Sequence, residues 1–222
     1  GVSLMCMNYF KMEYEISILN EKADSYHIDI MDGHFVKNLA LSPDFLKSLS
    51  GALKKPVDAH LMTTTPTDWL EPLAQAGADT ITVHAETINT DAFRVIDQIK
   101  SLGCKAGVVI NPSTPIEYIK HYLNRIDTLM LMTVDPGFGG QPFVPEVLDK
   151  IKEADHLKNE FGYSYNIQVD GNNNVNTYKK LYDAGARMFV LGSTGLFNLD
   201  PDVNVAFEKM RKDFCQATGI QL

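Results

Sequence analysis

Long hydrophobic runs are missing from this 222-residue chain. No stretch approaches the roughly 18 to 20 apolar residues that cross a bilayer, and no charged segment followed by an apolar signal region opens the sequence. Cysteine is scarce. Cys6, Cys104 and Cys215 are odd in number and widely spaced, which excludes a disulfide framework and a paired-cysteine metal motif, and suits free thiols packed in a reducing compartment. Basic runs are absent as well: Lys and Arg number 20 against 28 Asp and Glu, for a net charge of -8. A chain without a lysine-arginine patch has nothing to track a phosphate backbone. These absences predict a cytoplasmic protein with neither a membrane nor a nucleic acid as partner.

What is present is enough apolar material, 45% of the residues, to bury a sizeable core, and the length predicts one domain over residues 1–222. Short apolar runs recur at Ser3 to Met7, Tyr26 to Ile30, Val57 to Met62, Thr80 to His84, Ala106 to Ile110, Thr128 to Thr133, Tyr165 to Asp170 and Met188 to Gly192. Between them, segments such as Thr67 to Ala76, Asp91 to Leu102, Pro145 to Asn159 and Thr177 to Ala184 carry apolar residues at helical spacing, and glycines 77, 103 and 185 mark helix exits. Eight strands alternating with helices imply parallel pairing. The fold class is therefore α/β, closed as a (β/α)8 TIM barrel.

In such a barrel the chemistry lies at the carboxyl ends of the strands, and His27, Asp29, His60 and Asp170 all read as occupying such ends. His27 and Asp29 stand two residues apart in the second run, His60 has the same parity in the third, and Asp170 closes the seventh. A period of two turns the side chains within each strand to one face, and charged groups are rarely placed in such runs without partners. Two histidines and two carboxylates suit one divalent cation per subunit, Zn, Mn, Fe or Co rather than Mg. The same parity puts Met5, Met31, Met62 and Met132 on the pocket wall, where an apolar, polarizable lining strengthens electrostatic effects. Met130 reads as ordinary core. His84-Ala85-Glu86 repeats the two-residue spacing and is the rival ligand pair, read as a polar rim at the barrel mouth or a support behind the ligands. His34, in a turn after Gly33, reads as structural or substrate-adjacent, and His121 and His156 read as surface residues.

Glycine-bearing segments follow the last three strands: Gly137-Phe138-Gly139-Gly140, Gly171-Asn172 after Asp170, and Gly192-Ser193-Thr194. Glycine lets successive amides approach an anion, and the late loops are this fold's usual phosphate seat. A cation, two carboxylates and a phosphate seat suit a phosphorylated ketose, whose carbonyl a metal polarises and whose C3 is inverted by acid-base groups on opposite faces. Asp29 and Asp170 are that pair.

At these residues the chain resembles the ribulose-phosphate 3-epimerase family. The matching segments are Ser3-Leu4-Met5, His27 to Phe35, His60-Leu61-Met62, Met132 to Gln141, Val169-Asp170-Gly171 and Gly192-Ser193. The resemblance implies a ribulose-phosphate-binding barrel in which His27, Asp29, His60 and Asp170 hold the metal. It implies that Asp29 and Asp170 move the proton, and that Ser3, His60 and Asp170 contact substrate. Gly137 to Gly140, Gly171, Asn172, Gly192, Ser193 and Thr194 would hold the phosphate side. It also implies a homo-oligomer, dimer or hexamer. Within the family, Ser3-Leu4-Met5-Cys6-Met7, Glu86 to Asn89 and Gly195 to Asn198 look most like the D-allulose-6-phosphate branch, which makes D-allulose 6-phosphate and D-fructose 6-phosphate the expected pair; D-ribulose 5-phosphate and D-xylulose 5-phosphate are the alternative. Asn8 and Asn172 depart from the usual pattern, but neither is a ligand in this scheme. Asp58-Ala59-His60 lacks the aspartate-x-lysine pattern of the decarboxylase barrels. A non-catalytic sugar-phosphate-binding barrel would not require a two-faced acid-base pair.

Overall fold

The computed structural model describes residues 1–221. Eight strands form one parallel sheet in sequence order: β1 Val2–Ser3, β2 Tyr26–Met31, β3 Val57–Met62, β4 Thr80–His84, β5 Lys105–Ile110, β6 Thr128–Met132, β7 Asn166–Asp170 and β8 Met188–Phe189. A parallel bridge from Val2 to Leu191, with Ser3 N donating to Leu191 O at 3.0 Å, closes the sheet on itself. The (β/α)8 barrel read from the alternating pattern is the fold observed.

The helices are α1 Met12–Lys22, α2 Pro43–Ser48, α3 Leu70–Ala76, α4 Ala92–Ser101, α5 Val147–Phe161, α6 Tyr178–Ala184 and α7 Val203–Thr218. Their sequences explain their placement. In α4, Ala92, Val95, Ile96 and Ile99 are buried, the i, i+3, i+4, i+7 stripe that a helix lays on a sheet. Each such fully buried aliphatic side chain stabilises the fold by roughly 1.5–3 kcal/mol. Ser42 starts α2 by accepting the Phe45 amide, with Pro43 at the first helical position; Asp202 caps α7 through the Asn204 and Val205 amides. Caps of this kind contribute about 1 kcal/mol. Between β5 and β6 the crossover is made by two 3-10 turns, Ile116–Tyr118 and Lys120–Arg125.

Two strands are shorter than the apolar runs suggest. The run Ser3 to Met7 becomes strand only at Val2–Ser3, then turns through a 3-10 segment at Leu4–Cys6. The last run keeps Met188–Phe189 as strand, and Leu191 contributes a single bridge. Hydrophobicity marks burial, and Leu4 is buried in the turn as fully as it would be in a strand.

Candidate active site

Register brings the polar residues of β2 and β3 side by side. His27 pairs with Ser3 on one side and Asp58 on the other, and Asp29 pairs with His60. Across the barrel, β7 ends on Asp170. One donor atom from each of His27, Asp29, His60 and Asp170 lies within 4.8 Å of the other three, and these residues could hold a metal ion. One expectation from the sequence is corrected: only Asp170 closes its strand. β2 and β3 run on to Met31 and Met62, so the histidines and Asp29 sit a layer inside the barrel, where His27 and His60 are essentially inaccessible.

Burial of this kind demands partners. His27 Nδ1 lies 3.1 Å from Asp58 Oδ2. Asp58 also accepts from Thr82 Oγ1 at 2.6 Å and from Gln168 Nε2 at 2.9 Å. A glycine on the neighbouring strand makes room for this: a Cβ on Gly107 would stand 2.1 Å from Thr82 Oγ1. Ser3 Oγ donates to Asp29 Oδ2 at 3.0 Å. His60 presents Nδ1 to Asp29 Oδ1 at 3.2 Å and to Asp170 Oδ2 at 3.7 Å. His27 Nε2 stands 3.3 Å from Asp29 Oδ1 and 3.8 Å from Asp170 Oδ2, yet among the described residues this buried nitrogen has no hydrogen-bond partner.

The carboxylates differ in their surroundings. Burial raises the pKa of both, but at Asp29 the adjoining His27 and His60 outweigh it and hold the group well below the usual range. At Asp170 burial, helped by the charges of Asp29 and Asp58, prevails over the histidines and pushes the group up. Burial disfavours charge on His27, and Asp29 and Asp58 override it, so its pKa rises well above the ordinary value. Three inward carboxylates around two imidazoles draw positive charge into this layer. An orphaned imidazole nitrogen converging with carboxylate oxygens fits a divalent ion with mixed nitrogen and oxygen ligands.

The rival pair is placed behind His60, as a support rather than a rim. His84 is fully buried, because the Phe35 ring packs over it with centroids 4.4 Å apart, and its Nε2 meets His60 Nε2 at 2.9 Å. Glu86 sits 3.3 Å from the other ring nitrogen. Burial lowers the His84 pKa to about 4. For Glu86 burial acts upward, but His84, Thr114 and the Asn111 amide outweigh it and bring the group to about 2.

Above the cluster opens a cleft of about 610 Å³, its solvent mouth included. Met5, Met31, Met62 and Met132 line it, as do Ser3, Asp29 and Asp170. Gly137, Phe138, Gly139, Gly140, Gly171, Asn172, Gly192, Ser193 and Thr194 form the rest of its wall with their loop neighbours. His60, expected at the substrate as well, lies beneath this wall rather than in it. Met130 packs with Val109, Met132 and Val134 as core. Side chains tie the loops together: Asn38 Nδ2 donates to Gly137 O at 2.7 Å, and Asn172 Nδ2 to Gln141 O at 3.0 Å. Cys6, read as packing, is partly exposed in the cleft. Asp58, Thr82 and Gln168 escaped the sequence reading as supports of the cluster; their inward parity with His60, His84 and Asp170 in their own strands was the available signal.

The sequence profile described as the ribulose-phosphate 3 epimerase family matches residues 1–197. The chain belongs to that family. It is 41% identical to the ribulose-phosphate 3-epimerase of Escherichia coli strain K12 over 198 residues, covering 88% of this chain and 86% of the relative. The ribulose-phosphate 3-epimerase of Bacillus subtilis is 44% identical over 172 residues, covering 77% and 79%. Among solved structures, KGPDC from Streptococcus mutans aligns with a TM-score of 0.71 at 15% identity, covering 97% of this chain and 96% of that one. A 3-hexulose-6-phosphate synthase from Salmonella typhimurium aligns with a TM-score of 0.64 at 16% identity, covering 97% and 98%. Those likenesses concern the barrel fold. As a member of the epimerase family, the chain is an isomerase, a 3-epimerase of sugar phosphates. No described helix is long and apolar enough to cross a membrane.

Proposed function

We propose that the chain, acting as a one-domain barrel, interconverts D-ribulose 5-phosphate and D-xylulose 5-phosphate. The named relatives support this pentulose pair over the D-allulose 6-phosphate pair that the first strand suggests. The observation that carries the reading is the convergence of Asp29 and Asp170, from opposite parts of the ring, with two histidines beneath one cleft.

His27, Asp29, His60 and Asp170 hold a divalent cation in this reading. When bound, such an ion polarises the substrate carbonyl and offsets the charge of an enediolate. Asp29, oriented by the Ser3 hydroxyl, exchanges a proton with C3 on one face, and Asp170 exchanges one on the other, with roles reversed in the reverse reaction. The methionine wall keeps water from the carbanionic carbon and gives no proton of its own. The glycine segments after β6, β7 and β8 seat the phosphate through backbone amides.

Incubation of the Zn2+-, Mn2+- or Co2+-loaded protein with D-ribulose 5-phosphate in deuterated water tests the reading. Formation of D-xylulose 5-phosphate carrying solvent deuterium at C3 is expected; unlabelled, unchanged sugar would overturn it. D-allulose 6-phosphate run in parallel separates the two sugars by kcat/KM. A higher value for the hexulose would reverse the assignment.

A further inference from the structure

A line of side chains outside the four-residue cluster ends on His60. His60 turns Nδ1 to the carboxylates and Nε2 to His84 Nε2, 2.9 Å away. His84 Nδ1 stands 3.3 Å from Glu86 Oε2. The other Glu86 oxygen accepts from the Asn111 amide at 2.9 Å and from the Thr114 hydroxyl. That loop is itself anchored, since Lys150 Nζ donates to Asn111 O at 2.8 Å and to Pro112 O at 2.7 Å.

The donors along this line follow from chemistry. A carboxylate only accepts, so His84 Nδ1 carries the proton. A neutral imidazole has one donor and one acceptor nitrogen, so His84 Nε2 accepts, and the proton between the rings belongs to His60 Nε2. His60 Nδ1 is then a bare lone pair facing Asp29 and Asp170. We infer that His84 and Glu86 are positioning residues that set the His60 tautomer and aim its Nδ1 lone pair at a bound cation. The role rests on the cation-binding reading above. It also explains why two polar side chains that do not touch the cleft, His84 fully buried and Glu86 partly buried, sit in line behind His60.

Substituting Glu86→Gln reverses the line. With its carbonyl held by the Asn111 amide and Thr114, the new amide group faces His84 and donates to Nδ1. Each bond toward His60 then runs the other way, and the proton lands on His60 Nδ1. Removing an outer partner of a ligating histidine weakens metal affinity about 10–100-fold.

The test titrates Co2+ into wild-type and E86Q protein, reading the d–d absorption, and records long-range 1H–15N spectra of the histidines in the Zn2+-loaded wild type. A Co2+ dissociation constant raised about 10–100-fold in E86Q, with an unchanged circular dichroism spectrum, supports the role, as do His84 protonated at Nδ1 and His60 at Nε2. Equal Co2+ affinity in E86Q, or His84 protonated at Nε2, overturns it even if the wild type binds the ion tightly. A wild type that takes up no Co2+ overturns the cation reading itself. If E86Q fails to fold, the wild-type tautomers decide.

Discussion

His27 Nδ1 rests 3.1 Å from Asp58 Oδ2, and this contact turns the opposite ring nitrogen toward Asp29 and Asp170. Asp58 never reaches the cleft; its effect passes through the imidazole.

Asp58→Asn therefore has a double expected outcome. Metal affinity, followed by Zn2+ competition with a chromophoric chelator, falls about 10–100-fold. Urea denaturation records a loss of about 1–3 kcal/mol, because the introduced amide leaves part of the His27, Thr82 and Gln168 network unsatisfied. Unchanged affinity would separate Asp58 from the site.

In the proposed mechanism Asp170→Asn and Asp29→Asn each remove one of the two proton carriers. Turnover is expected to fall about 10²–10⁴-fold, with the far-ultraviolet spectrum preserved. The two variants differ in exchange: each carboxylate serves one face of C3, so solvent-deuterium wash-in from one epimer survives better than net epimerisation. Near-normal kcat in either variant would remove that residue from the mechanism.

The acid limb of stability offers a check away from the chemistry. Asp32 accepts from the amides of His34, Phe35 and Thr64 and from the Thr64 hydroxyl. Burial pulls its pKa upward, but these donors outweigh it and bring the group from 3.8 to about 2. A depressed folded-state pKa adds stability that is complete above the unfolded value and vanishes as pH falls through the folded one. Wild type should exceed Asp32→Asn by on the order of 1 kcal/mol near neutrality, given partial solvent screening. Urea midpoints collected from pH 7 down to pH 2 should draw together progressively below about pH 4; a gap independent of pH would mean that the charge is not its source.

Gly171 has φ +109°, and a Cβ there would stand 2.5 Å from Val134 Cγ2. Gly171→Ala is expected to destabilise by about 2–4 kcal/mol, combining backbone strain with overpacking. Adding Val134→Ala relieves the contact and leaves the backbone share. A double-mutant cycle in urea measures the split; simple additivity would refute the clash.

The barrel and its cluster of inward polar residues were legible because β-branched and apolar runs with inward histidines and aspartates obey a period of two, as β2 and β3 do from Tyr26 to Met31 and from Val57 to Met62. Parity gives the face but not the depth. His84 illustrates this: the pattern marks it as inward, whereas only the tertiary position of Phe35 decides that it is sealed from water. Asp58 was hidden for a related reason, since its partners Thr82 and Gln168 come from strands 24 and 110 residues away. The extent of β1 was unreadable because Leu4 is as apolar in a turn as in a strand. The sugar was the least legible property, as the first-strand residues that suggested a hexulose lie in that same turn.

The early end of β1 also divides the protein into a fixed machine and an adjustable fitting. Past Ser3 the backbone leaves the ladder, and Met5 and Cys6 overhang the cleft from a turn. Neither position pairs in a strand or supplies one of the proposed proton carriers. A saturation library at positions 5 and 6, screened on five- and six-carbon ketose phosphates, should therefore retune substrate choice while the barrel folds as before.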